Sequence, residues 1–330
     1  MSKTYDVIIV GAGPMGIAVG IEAQKAGISH LIVEKGSLVN SIYHFPKNMT
    51  FFSTSQKLEI GDVPFMSNFE KPKRDEALEY YRRVVEKWNL NIQYYEEVSN
   101  VTKPDQLFAI QTKRNLYQAK NVVIATGFYG QPNRLNVPGE DLSKVKFYFN
   151  EAHPYIDQKV AVIGAANSAT QVALELYYKG AEVSLIVRDD KIDDAVKYWI
   201  KPNIENRIQE GAIQAYFNSN VKEIKLNSII LEQNGEELIL ENDFVFAMIG
   251  YHPNYEFLKK IGIQCDVDQN KTPLYNAETH ETEIPGLYVA GVVCGGKHTS
   301  KFFIENSMEH AERIVTAIKS NKSFVDKLFS

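Results

Sequence analysis

The stretch Asp6-Val-Ile-Ile-Val-Gly11-Ala-Gly13-Pro-Met-Gly16 runs from four consecutive aliphatic residues into a glycine-rich turn, and Ile17–Ala26 continues with the small and apolar spacing of a helix packed tightly on a sheet. Each glycine has a separate task in this setting. Gly11 permits a tight turn, Gly13 lets the backbone approach a pyrophosphate at the helix amino end, and Gly16 allows close contact of helix and strand. The next strand-like run, His30–Glu34, closes on an acid 18 residues beyond Gly16, where a carboxylate can accept a hydrogen bond from a ribose hydroxyl. A GxGxxG string alone is common by chance; preceded by a strand, followed by a helix and answered by Glu34, it reads as a dinucleotide-binding unit.

The layout recurs. Lys159-Val-Ala-Val-Ile-Gly164-Ala-Ala166-Asn-Ser-Ala169 has alanine in the second and third glycine places, Ser168–Lys179 repeats the helical spacing, and Glu182–Val187 is the next strand-like run. Arg188 stands where Glu34 stood. An acid there would repel a ribose 2′-phosphate, whereas a guanidinium binds it through charge-assisted hydrogen bonds, so NADP(H) is expected over NAD(H) at this turn. A solvated arginine at a strand end is the plain alternative.

Outward from these turns the chain is ordinary globular material: 330 residues, 44% hydrophobic and 23% charged, enough for two domains. Strand-like runs alternating with helical spacing predict an α/β fold with parallel sheets, interrupted inside the second unit by an Asn234-Gly235 hairpin between Ser228–Gln233 and Glu237–Leu240. A last helix is expected over Phe302–Lys319. The formal charge of -5, with both signs mixed along the chain, gives no footprint for nucleic acid or a membrane surface. The first apolar run is too short to span a bilayer, so a cytoplasmic location is expected. Cys265 and Cys294 form no CxxC and no zinc spacing, and the seven histidines show no metal-binding pattern, so no metal is expected.

First glycines 153 residues apart, Ala125-Thr126-Gly127 between them and Gly286-Leu-Tyr-Val-Ala-Gly291 near the end resemble the two-dinucleotide-binding-domain flavoproteins. That resemblance implies two Rossmann-like domains, an NADPH domain (129–254) inserted in a discontinuous FAD domain (1–128 and 255–330). Further strings resemble the bacillithiol disulfide reductases, thioredoxin-reductase-like flavoproteins: Ser41-Ile-Tyr43, Thr50-Phe-Phe-Ser53, Ile60-Gly-Asp-Val-Pro-Phe65, Ala125-Thr-Gly-Phe-Tyr-Gly130, Glu151-Ala-His-Pro-Tyr155, Phe244-Val-Phe-Ala-Met-Ile-Gly-Tyr-His-Pro253, Tyr255-Glu-Phe-Leu258 and Phe303-Ile-Glu-Asn306. There are two departures. Many members carry cysteine in the first glycine turn, where this chain has Met15, and the usual glycine-aspartate after the last strand is Gly291-Val292.

The resemblance implies an FAD site of Gly11, Gly13, Pro14, Met15, Gly16, Glu34, Lys35, Ser41, Tyr43, Phe52, Ser53, Val98, Thr126, Gly127 and Gly291. It implies an NADPH site of Gly164, Ala166, Asn167, Ser168, Ala169 and Arg188. Hydride would pass from NADPH to FAD and then to a small-molecule disulfide, in a homo-oligomer. Lacking CxxC, the chain offers Cys294 as the candidate for catalysis. Two other enzyme readings exist. Phe147-Tyr-Phe149-Asn-Glu-Ala-His153 and Ser53-Thr-Ser-Gln-Lys57 resemble signatures of flavin monooxygenases, with Phe149 and Ser53 in place of a glycine and an asparagine; and absence of CxxC suits a ferredoxin or flavodoxin reductase equally well. A nucleotide-binding module without turnover is disfavoured by two complete cofactor units.

Overall fold

The computed structural model describes residues 3–267 and 269–328. The chain divides into two compact units, Met1–Gln131 with Tyr251–Ser330, and Pro132–Gly250. The sequence reading placed the divisions after residues 128 and 254. Two backbone bonds lie beside the observed divisions, one within each unit: the Asn133 amide donates to the Gly250 carbonyl at 3.0 Å, and the His252 amide donates to that of Gln131 at 2.9 Å.

In the first unit β1 (Thr4–Val10) is buried on both faces, Val7 and Ile9 in one core and Ile8 and Val10 in the other, as its unbroken aliphatic run requires. It pairs in parallel with β2 (His30–Val33), which pairs with β3 (Ile92–Gln93). On its other side lies β6 (Leu116–Ile124), long enough to serve two further partners. The first part of β6 pairs antiparallel with β5 (Phe108–Thr112), which pairs with β4 (Val98–Thr102). Its last residues, Val122–Ile124, pair in parallel with β15 (Leu287–Val289), the return strand. Helices α1 (Pro14–Lys25), α3 (Arg74–Trp88) and α7 (Glu309–Leu328) bury Ile17, Ile21, Tyr81, Val84, Ile314 and Ile318 in one core. The short α2 (Asn40–Tyr43) adds Ile42 to it, while α6 (Tyr255–Lys260) gives Leu258 to the other.

The second unit repeats the plan. β8 (Lys159–Ile163) lies between β9 (Glu182–Ile186) and β14 (Phe244–Ala247), with β10 (Gln214–Tyr216) and β7 (Val145–Lys146) outside them, all parallel. Helix α4 (Asn167–Tyr178) follows the glycine turn, and α5 (Lys201–Gln209) comes later. The strands β11 (Ser219–Ile224), β12 (Ser228–Gln233) and β13 (Glu236–Glu241) make a separate antiparallel sheet. Asn234 and Gly235 take φ 54° and 87°, the positive pair that a two-residue hairpin turn of matching twist needs.

One expected element is shorter at its start. The last helix begins at Glu309, not Phe302. The Asn306 side chain accepts from the Phe303 amide at 2.6 Å and donates to the Lys301 carbonyl at 3.0 Å, and the Ser307 hydroxyl donates to the Phe303 carbonyl. These local side-chain bonds offer the backbone an alternative to helix.

Candidate functional site

Four segments of the first unit converge on the Gly11 turn. Gly11 sits at φ 110°, its amide donates to the Val33 carbonyl at 2.8 Å, and a Cβ on it would stand 2.6 Å from the Ala125 carbonyl oxygen. A Cβ on Gly16 would lie 1.8 Å from the Gly11 oxygen, so helix and turn touch there with no room for any side chain. Gly13 differs. It precedes Pro14, the first residue of α1, and a Cβ on it would meet nothing within 4 Å. The turn is therefore closed on the protein side at Gly11 and Gly16 and open at Gly13, beside the unpaired first-turn amides of a helix.

Glu34 is buried at 5% exposure, with its carboxylate accepting from the Ala12 amide at 2.7 Å and the Gly36 amide at 2.8 Å. Burial pushes its carboxyl above the ordinary value, against the pull of those two amides. The Glu34 carbonyl also accepts from the Glu96 amide at 2.8 Å, which brings the chain leading to Val98 alongside. Lys35, just beyond, is exposed and extends toward Gly130.

The chain then folds back over the turn. Val39 donates its amide to the Ala12 carbonyl at 3.0 Å and adopts φ 44°, ψ 48°, a left-handed conformation rare for a β-branched residue. Strain of this kind persists where surrounding contacts over-determine it. The residues flanking Val39 in the sequence do not signal it in advance. It launches α2, placing Ser41 half-buried and Tyr43 exposed. The Tyr43 carbonyl accepts from Arg74, and the Tyr129 hydroxyl donates to the His44 carbonyl at 3.1 Å, while the Tyr129 ring packs on Phe45 and Tyr251. Phe52 is half-buried, and the Ser53 hydroxyl donates to Glu305.

After β6, Thr126 and Gly127 (φ 66°) pass beside the turn, with Gly127 facing Val292. Gly291 (φ 78°) packs its Cα against the buried Met15 side chain, and its amide donates to His310 Nδ1 at 3.1 Å. Met15 thus points at the return strand's end and fills the space a larger residue at 291 would need. Cys294 is wholly buried, and burial drives its thiol far above the ordinary range. A nucleophilic cysteine needs access and a stabilised thiolate. Cys294, sealed from solvent with its thiol form favoured by burial, sits in a setting that does not favour that role.

The second turn reproduces the first in the second unit. Gly164 sits at φ 130°, its amide donates to the Ile186 carbonyl at 3.0 Å, and a Cβ on it would be 2.5 Å from the Met248 oxygen and 3.1 Å from Ala169. Ala166 and Ser168 are exposed at the start of α4, and the Asn167 side chain accepts from the Lys197 amide at 3.0 Å, anchoring the loop after β9. Arg188 is 78% exposed, with a long 3.7 Å contact to Asp189. Nearby Lys191 is already engaged by Asp194 at 2.5 Å.

A family model described as pyridine nucleotide-disulphide oxidoreductase matches residues 8–291, from β1 through Gly291. The chain belongs to the pyridine nucleotide-disulphide oxidoreductases. It is 43% identical to the bacilliredoxin reductase Bdr of Bacillus subtilis (strain 168), over 96% of this chain and 98% of that one. Two solved structures, the bacillithiol disulfide reductases Bdr of Staphylococcus aureus and Bacillus cereus, superpose with TM-scores of 0.95 and 0.94 at 45% and 44% identity. Each covers 97% of this chain, which in turn covers 99% and 100% of theirs. The similarity seen in the sequence strings is thereby borne out, as is the α/β fold class. As a member of the pyridine nucleotide-disulphide oxidoreductases, the protein is an enzyme that works with a flavin and a pyridine nucleotide. Among the described residues no helix is long and apolar enough to cross a membrane.

Proposed function

We propose that the Gly11 turn holds FAD, that the Gly164 turn holds NADPH, and that the enzyme reduces the disulfide of a low-molecular-weight thiol, bacillithiol disulfide foremost. The observation carrying this reading is one turn geometry used twice with opposite endings: a buried, amide-bonded Glu34 at the first and an exposed Arg188 at the second. Gly13, open on its Cα side at the start of α1, leaves room for a pyrophosphate against the helix amides. Glu34 retains lone pairs for a ribose hydroxyl while its bonds to Ala12 and Gly36 fix its orientation. Arg188 suits a 2′-phosphate, and Ala166 and Ser168 bracket the second helix start.

A bound flavin supplies a two-electron carrier between reduced nicotinamide and a disulfide. The net reaction consumes NADPH, a proton and the disulfide, and yields NADP+ and two thiols. Met15 cannot form a mixed disulfide, and both cysteines are free, one of them sealed in the core, so this reading assigns no thiol relay to the protein. The titles of the two solved structures, which specify bacillithiol disulfide, support the substrate class, while the name of the Bacillus subtilis relative specifies a bacilliredoxin, a protein disulfide of the same thiol system. The monooxygenase reading weakens at Phe149, which is buried and packs edge-on against Phe246 at 5.2 Å, and at His153, exposed on a short turn of 3-10 helix.

The test is steady-state NADPH oxidation in air-free buffer with bacillithiol disulfide, ferredoxin or flavodoxin as acceptor. The expected result is disulfide-dependent turnover releasing two thiols per NADPH. Faster turnover with either protein carrier, or turnover only when dioxygen is admitted, overturns the substrate assignment.

A further inference from the structure

Behind Gly291 lies a cluster that the cofactor sites do not use. His280, Cys294 and His310 are 3%, 0% and 2% exposed, and one donor atom from each, two imidazole nitrogens and the Cys294 sulfur, all lie within 4.8 Å of one another. Three elements supply them: the loop before β15, the short 3-10 turn Gly291–Gly295, and the first turn of α7. Their spacings of 14 and 16 residues match no metal-binding string, which is why the sequence conceals them. His280 takes φ 60°, an uncommon left-handed backbone, with its amide tied to the Asn276 carbonyl at 2.8 Å and its carbonyl to the Val289 amide at 3.0 Å. That pinned conformation delivers its ring to the interior, stacked on Tyr275 and 4.0 Å from the centre of the His310 ring.

Burying three polar side chains is costly unless they are well bonded. The contact within this group is weak, Cys294 Sγ to His280 Nδ1 at 4.0 Å. Burial, reinforced by the nearby Arg313 charge, pushes His280 down to about 4 and His310 to about 3, and a neutral imidazole is the form that ligates metals. Around a bound cation with metal–nitrogen and metal–sulfur bonds of about 2.0 and 2.3 Å, donors stand roughly 3.3–4 Å apart, so modest side-chain rotation closes the present triangle. Two imidazoles and a thiol, with no carboxylate, select a thiophilic ion over calcium or magnesium.

We propose that His280, Cys294 and His310 form a binding site for a thiophilic d10 cation, Zn2+ or Cu+. Capture releases the Cys294 proton, and the cation's charge compensates the buried thiolate. His310 Nδ1 accepts the Gly291 amide when no metal is bound. A metal on His310 either takes Nδ1 itself or, on Nε2, moves that ring's proton to Nδ1, so in both cases occupancy and the Gly291 hydrogen bond exclude each other. The site thereby connects metal occupancy to the backbone that packs on Met15. This inference is independent of the cofactor and substrate assignments.

The experiment uses the enzyme as purified, stripped by a chelator, then equilibrated with Zn2+ or, without air, with Cu+, and gel-filtered before metal analysis. One ion per chain is expected for at least one of the two, falling at least tenfold in Cys294→Ser and in His310→Phe and unchanged in Cys265→Ser. Should the variants fail to fold, X-ray absorption of the zinc- or copper-loaded wild type decides, with a shell of one sulfur and two nitrogens expected. No retained metal, equal retention by Cys294→Ser, or a shell without sulfur overturns the proposal.

Discussion

Replacing Arg188 by alanine tests the proposed preference of the second turn for a phosphorylated ribose. The side chain is 78% exposed and its contact with Asp189 spans 3.7 Å, so its removal leaves folding and the Gly164 turn intact. A hydrogen bond to a charged partner contributes about 1.5–3 kcal/mol, and the lower part of that range applies to a guanidinium that remains in contact with water. At about 1.4 kcal/mol per tenfold, a loss of about 1.5–2 kcal/mol lowers kcat/KM for NADPH roughly 10- to 30-fold. NADH lacks the 2′-phosphate, so its kcat/KM stays within about twofold by the same reasoning. The assay is flavin reduction under anaerobic conditions, followed by absorbance against concentration of each nucleotide. Equal losses for both nucleotides, or none for either, refute the role of Arg188.

The two inner glycines of the first turn should separate stability from cofactor binding. Gly16→Ala forces a Cβ to within 1.8 Å of the Gly11 oxygen and should destabilise even the flavin-free chain, by about 1–3 kcal/mol or more, whereas Gly13→Ala, with nothing within 4 Å, should leave its thermal midpoint unchanged and lower flavin affinity. Equal melting shifts in the two variants would contradict this. Glu34→Gln turns one amide donor toward the Ala12 or Gly36 N–H and should cost about 1–3 kcal/mol, read as flavin loss on dilution. Asp6 is partly buried, which opposes its charge, but the Lys120 ammonium and the Ser29 hydroxyl and amide win and lower its pKa to about 2. Because this folded-state value lies below that of the unfolded chain, its stabilisation is complete above about pH 5 and is lost as pH falls through 2. Asp6→Asn should therefore cost about 1–2 kcal/mol in urea melts at pH 7, with the difference from wild type shrinking away as the pH falls through 2. Alkylation of the native enzyme by iodoacetamide should modify the partly exposed Cys265 long before Cys294, as read by peptide mass; the reverse order would show that Cys294 is accessible.

The sequence disclosed whatever is decided by neighbours along the chain. The Gly11 and Gly164 turns, their flanking strands and the Asn234-Gly235 hairpin follow from steric demands on a few consecutive residues, and the structure has them where expected. Features decided by residues far apart stayed hidden. The branching of β6 between β5 and β15 depends on pairings between residues up to 165 positions apart, such as Val122 with Leu287. The left-handed Val39 is imposed by its bond to Ala12 and by burial, against its own β-branched preference. The early start expected for the last helix failed because apolar spacing over Phe302–Met308 does not report the side-chain bonds of Asn306 and Ser307. The same limit concealed the meeting of His280, Cys294 and His310, whose separations carry no motif.

The central claim is that electrons pass from nicotinamide through flavin to a small disulfide without any cysteine of the protein. Its most direct test is a single turnover: enzyme reduced with one equivalent of NADPH in the absence of air is mixed with excess bacillithiol disulfide, and flavin absorbance and free thiol are followed together. The account predicts full reoxidation with two small-molecule thiols formed per flavin and no mixed disulfide on the protein by intact mass. Flavin that stays reduced, or thiol that accumulates on Cys265 or Cys294, would contradict it.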